Sequence, residues 1–163
     1  MKSKIIVNEI PKLNKFLADF IKIGEYAVDV GIMGDKNKRP TEKGKEAGLT
    51  NADIGAIHEF GSRSRGIRMR SFLIMPLFVK ADRIIKETVM DNVAAKVEVN
   101  NPMAYLRTFG HACERAIYDA FDSRGFGTWA PNAPSTIARK KSSMPLIDLG
   151  FLRKSITSAV VKL

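Results

Sequence analysis

The side chains of this sequence that could carry out catalysis begin with the adjacent pair His58 and Glu59. A zinc hydrolase built on such a pair needs a second histidine four positions after the first, so that both imidazoles share one helix face. Position 62 is Ser62, which does not supply that ligand. We therefore interpret His58 as a partly buried, hydrogen-bonding histidine or as a surface residue.

His111 and Cys113 are a second pair that could act as base and nucleophile. Residues two apart on a helix point about 200° away from each other, so this pair cannot form locally. Cys113 falls on an apolar stripe, which favours packing in the core.

Asp148 has no carboxylate or histidine at an informative spacing and is interpreted as a cap for the turn leading into Leu152. A hydrolase that combines His58 or His111 with a distant carboxylate is a third hypothesis, behind the two functions developed below.

Charge is the strongest deviation in the composition, at +10 for 163 residues. Much of it lies in residues 34–48 and 62–70, whose polar composition predicts flexible surface loops. Neighbouring arginines repel each other, so we expect the second loop to stay extended unless it meets an anion or an acidic surface. The candidate contact residues in the two loops are Lys36, Lys38, Arg39, Lys43, Lys45, Arg63, Arg65, Arg68 and Arg70.

Basic loops can bind nucleic acid as well as acidic protein surfaces. Proteins that bind single strands stack the bases on aromatic side chains, and neither loop contains one. A basic nucleic-acid-binding accessory protein is therefore the alternative to a protein-binding function.

Hydrophobic periodicity predicts an α+β fold with a small, mostly antiparallel sheet packed against two long helices. The chain length fits a single domain, residues 1–163. The predicted helices cover 11–21, 51–60, 77–93 and 102–121, with a short turn of helix at 135–139, and the predicted strands cover 26–32 and 155–162. Helical spacing predicts an apolar row of Ala52, Ile54, Ile57 and Phe60 on the second helix and an apolar stripe of Leu77, Phe78, Ala81, Ile84, Ile85, Val89 and Val93 on the third. Thr50 or Asn51 would cap the second helix, Gly61 would end it, and Asn101 would cap the fourth.

One cysteine excludes an internal disulfide framework and a cysteine metal site. We find no apolar run of the length that a membrane span requires and no secretory signal, and we expect a protein of the reducing cytoplasm. We expect no cofactor, metal or membrane partner.

Four short signatures occur in a fixed order: residues 54–61, residues 70–73, Trp129-Ala130-Pro131, and residues 145–156. In that order they resemble the virion-morphogenesis proteins of phages, including the Mu-like tail-completion group and related head-tail neck proteins. The residues that carry this resemblance are Gly55, His58, Glu59, Phe60, Gly61, Phe72, Leu73, Trp129, Asp148, Gly150, Leu152 and Arg153.

The resemblance implies a small α+β structural protein, not an enzyme, in which the signature residues determine the fold and the basic loops make contacts. It implies a homo-oligomeric ring, for example a hexamer, that docks on other neck or tail proteins and touches DNA at most in passing. Such a protein is made in the host cytoplasm and ends in the virion, at the neck or the tail end.

Overall fold

The structure is a computed structural model that describes residue 18 and residues 21–39, 48–94 and 101–163. Helical residues 21–23 precede strand β1, a short 3-10 helix and six α-helices follow it, and strand β2 closes the described part. The bounds are β1 Tyr26–Ile32, 3-10 helix Gly34–Asn37, α1 Asn51–Phe60, α2 Ile74–Val79, α3 Ala81–Ala94, α4 Pro102–Asp122, α5 Pro134–Lys140, α6 Phe151–Lys154 and β2 Ile156–Lys162. None of the described helices is both long and apolar enough to cross a membrane.

The two strands come from opposite ends of the described chain and pair antiparallel, with Tyr26 opposite Lys162 and Ile32 opposite Ile156. Helix α4 packs across both strands. Gly110 permits this approach, because a Cβ atom there would lie 2.5 Å from Ser158 Oγ and 3.2 Å from a Val28 methyl group. The α+β class predicted from the sequence is confirmed.

The core lies on the other half of α4, where Ile117, Ala120 and Phe121 are buried against α2 and the segment around Trp129. The Phe121 ring stands edge-on to Trp129, with 5.8 Å between their centroids, and 5.4 Å from Phe72. Aromatic rings favour such tilted contacts because the positive edge of one ring meets the negative face of another. A second buried cluster joins Ile84 of α3 to Ala112, Cys113 and Ala116 of α4.

The helix predicted over 77–93 is two helices, because the backbone leaves helical geometry at Lys80 (φ −105°, ψ 14°) between α2 and α3. The predicted apolar stripe is confirmed at Ile84, which is buried, and is wrong at Ile85, Val89 and Val93, which are exposed. The buried row of α3 is Ile84, Thr88 and Asn92. Its polar members are satisfied locally: Thr88 Oγ1 donates to Ile84 O, and Asn92 Nδ2 donates to Thr88 O.

Helices α1 and α4 begin where the sequence predicts. Thr50 and Asp53 form a reciprocal capping box at the start of α1, and Asn101 Oδ1 accepts a hydrogen bond from Ala104 N at the start of α4. Strand β2 and the short helix α5 also match their predictions. The helix predicted over 11–21 lies almost wholly outside the described residues.

Candidate interaction surfaces

Glu59 connects the first two signatures inside the protein, where its side chain is 4% exposed. Its carboxylate accepts hydrogen bonds from the backbone N–H groups of Phe72, Leu73 and Ile74 and from Ser71 Oγ, at 2.5 to 3.2 Å. The first N–H groups of a helix have no partner within that helix. Glu59 of α1 therefore caps α2. The N-cap residue of α2, Leu73, makes no capping hydrogen bond with its side chain.

Glycines let the first two signatures approach each other. A Cβ atom at Gly55 would lie 2.9 Å from Ile32 Cδ1 and 3.3 Å from the Phe72 ring. Gly61 ends α1 with a φ of 74°, and a Cβ atom there would meet backbone atoms of Ile67 and Met69 at 2.9 to 3.0 Å. The third signature joins the same centre, since Trp129 Nε1 donates to Ser71 O. The buried face of α1 is thus Asn51, Gly55 and Glu59, while Phe60 is exposed, against our expectation of an apolar core row.

Arg70 is buried and serves the fold, so its assignment as an exposed contact residue is wrong. Its Nε and Nη2 atoms donate to Ala130 O at 2.9 Å and Pro131 O at 3.0 Å, and its own N–H donates to His58 O. These bonds fix the end of the 62–70 segment against the loop that follows Trp129. Burial and the neighbouring Arg68 charge lower the pKa of the Arg70 guanidinium below its usual range.

The rest of the second basic segment is not extended either. Ser62 and Ile67 exchange two backbone hydrogen bonds, which close a tight turn around Gly66. Arg63 and Arg65 are exposed on this turn. Because the backbone hydrogen bonds between Ser62 and Ile67 close the turn, the neighbouring arginines stay close together despite their mutual repulsion.

The described start of the first basic segment is held as well. Asn51 Nδ2 donates to Lys36 O at 2.9 Å, and Ala52 N donates to Asn37 Oδ1 at 2.7 Å, so the 3-10 helix is tied to the start of α1. The Lys36 and Lys38 side chains are exposed, and Lys38 pairs with Asp35. The predicted contact residues Lys43 and Lys45 lie outside the described residues.

A cavity of about 530 Å³ opens between α1, the second basic segment, α5 and the start of α6. We call it the basic cavity, because five of its lining residues are cationic and one, Asp148, is anionic. The lining residues used below are Arg39, Ile54, His58, Arg68, Arg70, Arg139, Lys140, Leu146, Asp148, Leu149 and Phe151. Arg39 lies 5.7 Å from the centre of the Phe151 ring, a cation–π contact at the cavity wall.

His58 faces this cavity, and its imidazole is in a cationic environment. Burial, then the charges of Arg70 and Lys140, lower its pKa from 6.5 to about 4. Its Nδ1 atom is buried without a hydrogen-bond partner in the described structure. His58 is therefore a neutral histidine at pH 7, and Asp148, although it lines the same cavity, is not among the charges that shift its pKa.

The predicted cap at Asp148 is wrong. The N-cap of α6 is Gly150 in the left-handed region, with a φ of 77°, and no side chain caps this helix. Asp148 is exposed, between positive-φ turns at Leu146 and Gly150. The pKa of Lys140 is lowered, chiefly by burial, and the Asp148 carboxylate opposes that shift. Leu152 is buried, and Arg153 pairs with Asp122 at 2.9 Å and lies over the Tyr118 ring.

The other candidate chemical groups do not assemble into a site. Cys113 is buried, and burial followed by the Glu114 charge raises its pKa to about 11, so the thiol is protonated and inert at pH 7. His111 is exposed, with its Nδ1 atom 3.6 Å from Glu114. Within residues 21–39, 48–94 and 101–163, no three His, Cys, Asp or Glu side chains group as a metal site.

Helix α3 presents a second, apolar surface. Its residues fall into three rows. One row forms ion pairs with α4 and consists of Arg83, Glu87 and Asp91. A second row is buried (Ile84, Thr88 and Asn92), and a third is exposed (Ile85, Val89 and Val93). We call this last row the α3 apolar row. Before it, Phe78 of α2 is 84% exposed. A groove of about 420 Å³ runs beside the row, between Ile85 and the β1 residues Val28 and Val30.

Comparison with protein-family models, with curated proteins and with solved structures finds no match for this chain. The phage resemblance therefore stays a prediction based on the order of the signatures. Arg139 and Lys140 were not predicted from the sequence as members of a cationic site. Their signal was a basic pair at the end of a short helix opened by Pro134, but only the fold places that pair opposite residues 58 and 68–70.

Proposed function

We propose that this protein is a structural component of a phage particle that completes the tail or forms the head-tail neck by assembling into a ring. Support comes from the signature residues, because Gly55, Glu59, Phe72 and Trp129 meet at one packing centre. Residues that share only a packing function suit a protein that acts by assembly. We propose no catalytic role for the chain.

The observation that carries this proposal is an exposed apolar surface with two adjoining parts, the α3 apolar row and the groove beside β1, which share Ile85. A closed ring made by head-to-tail contacts needs two different patches on each subunit. We propose that the exposed α3 apolar row and Phe78 of one copy pack against the groove beside β1 of the next copy. Contiguous exposed apolar surface on a small protein marks a contact site. A second copy of the chain is the occupant we propose, because contact through uncharged side chains tolerates the high charge of both copies.

Native mass spectrometry and light scattering test this assembly. We expect the wild type to form a closed oligomer of discrete mass, and Phe78→Asp and Val93→Asp to shift it to monomer. Leu163→Asp is the matched control, since Leu163 is 80% exposed and belongs to neither the α3 apolar row nor the groove. A wild type that stays monomeric at the highest concentration and does not enter particles would refute the proposal.

The alternative, a nucleic-acid-binding accessory protein, is favoured by one observation. Arg63 and Arg65 stand exposed on the Ser62–Ile67 turn, and neither has a carboxylate partner in the described chain. Phosphate contacts would give an affinity for duplex DNA that falls steeply with salt, by about one log unit per log unit of salt for each contact. A weaker salt dependence of DNA affinity in Arg63→Glu/Arg65→Glu would support nucleic-acid binding. Negligible affinity of the wild type for duplex DNA at low salt would rule it out.

A further inference from the structure

We propose that the basic cavity binds an acidic segment of a different protein, a peptide that presents at least two carboxylates. The inference names a partner chemistry for the assembly function proposed above and rests on that function for its biological setting. The cavity volume of about 530 Å³ lies within the range of specific ligand sites, about 300 to 1,000 Å³, and suits a short stretch of peptide rather than a flat surface.

Among the described residues, Arg68, Arg70, Arg139 and Lys140 face one carboxylate of the cavity wall, Asp148. Arg68 and Arg139 are exposed and have no carboxylate partner in the part of the chain that the structure describes. Arg70 donates to two carbonyl oxygens, and Lys140 Nζ donates to Met144 O, so both ions are held by neutral acceptors. Neutral acceptors fix the position of a cation without cancelling its charge, which leaves the charge available to a ligand.

The cations also act on one another across the cavity. Burial, then Arg68, lowers the pKa of Arg70. Burial is also the largest cause of the lowered pKa of Lys140, to which Arg70 and Arg139 add and which Asp148 opposes. Like charges held this close raise the free energy of the empty site. An anion in the cavity would remove this repulsion, and carboxylates meet arginine in paired hydrogen bonds.

The walls of the cavity favour a peptide over nucleic acid. Ile54, Leu146 and Leu149 line it beside the cations, which gives an acidic peptide apolar surface for its intervening side chains. A DNA duplex is about 20 Å wide and cannot enter a cavity of this volume, so its phosphates would reach only the rim. A second copy of this chain is also disfavoured, since each copy carries a net charge of +10.

Fluorescence anisotropy with fluorescein-labelled hexaglutamate at about 0.15 M salt tests the site. We expect saturable binding that weakens by about tenfold or more in Arg68→Glu/Arg139→Glu, whose side chains are exposed and whose replacement leaves the core intact. The matched control is Arg107→Glu/Lys162→Glu, which changes the net charge equally at exposed positions outside the cavity. On binding, the His58 ring resonances of the wild type should shift in NMR spectra.

Equal weakening by the two double variants would overturn the inference, because it would indicate attraction to the general positive charge. Tighter binding of a hexathymidylate probe, weakened by the cavity variant, would reassign the cavity to nucleic acid. The two proposals fail separately. A wild type that forms rings but does not bind hexaglutamate contradicts this inference alone, whereas a monomer that binds hexaglutamate and stays out of particles contradicts the assembly function alone.

Discussion

Charged side chains meet in two regions of this protein, and the two regions use charge in opposite ways. At the first, Glu59 and Arg70 are 4% and 9% exposed and bond to backbone groups and, for Glu59, to the Ser71 hydroxyl. Neither is paired with an opposite charge among the described residues. At the second, three ion pairs join α3 to α4, Arg83 with Asp119 and Arg115 with Glu87 and Asp91, and a fourth, Arg83 with Glu87, lies within α3. The Arg83 and Arg115 side chains are 49% and 42% exposed.

The region with more ionic contacts is not the region in which charge contributes more to stability. Exposed ion pairs contribute about 0–1 kcal/mol, because water solvates the ions well when the pair is broken. Water cannot reach the N–H groups around a buried carboxylate, so removing the carboxylate leaves these donors without a hydrogen-bond acceptor. We therefore expect the first region, with fewer charges, to control stability, and the second to matter little.

The largest effect should follow Glu59→Ala, which leaves three backbone N–H groups and the Ser71 hydroxyl without their acceptor. We expect a loss of about 3–5 kcal/mol in the free energy of unfolding, measured by urea denaturation. Glu59→Gln retains one acceptor oxygen and should lose less. Equal and small losses in both variants would show that the carboxylate does not hold α2.

A smaller effect belongs to His58, which lies between Glu59 and the basic cavity. In the unfolded chain its pKa is 6.5, and in the folded protein it is about 4, so the unfolded state binds more protons between these values. The contribution of His58 is therefore fully present above pH 6.5 and is lost as pH falls towards 4. We expect a loss of about 2–3 kcal/mol across this window relative to His58→Gln.

Unfolding free energies at several pH values between 7 and 4 measure this difference. The matched control is His111→Gln, which replaces the other histidine of the chain at an exposed position on α4. The control should follow the wild type through the window, while His58→Gln should be less sensitive to pH. Parallel curves for His58→Gln and the wild type would contradict the assignment.

The elements that sequence patterns predicted well are those with local signals. Thr50 with Asp53 and Asn101 with Pro102 mark helix starts through bonds made within a few residues, and the alternation of Val28, Val30 and Ile32 marks a strand. These signals do not depend on the rest of the fold. The α+β class followed from them.

The errors arose where a long-range contact decided the outcome. The row Ile54, Ile57 and Phe60 satisfies helical periodicity, yet α1 buries Asn51, Gly55 and Glu59, because capping α2 and admitting Phe72 require a carboxylate and a glycine there. Nothing near Glu59 in sequence indicates that its partners lie at residues 71–74. Arg70 was misassigned for the same reason, since its acceptors are about sixty residues away.

The smallest effect should follow Arg115→Ala in the second region. Arg115 bonds to Glu87 at 3.2 Å and to Asp91 at 2.7 Å, so this one change removes two ion pairs between α3 and α4. Because the side chain is 42% exposed, water replaces both partners, and we expect a loss of less than about 1 kcal/mol that shrinks further in high salt. Urea denaturation at low and high salt measures it. A loss in unfolding free energy as large as that of Glu59→Ala would contradict this comparison, because exposed ion pairs between α3 and α4 would then stabilise the protein as much as the buried carboxylate does.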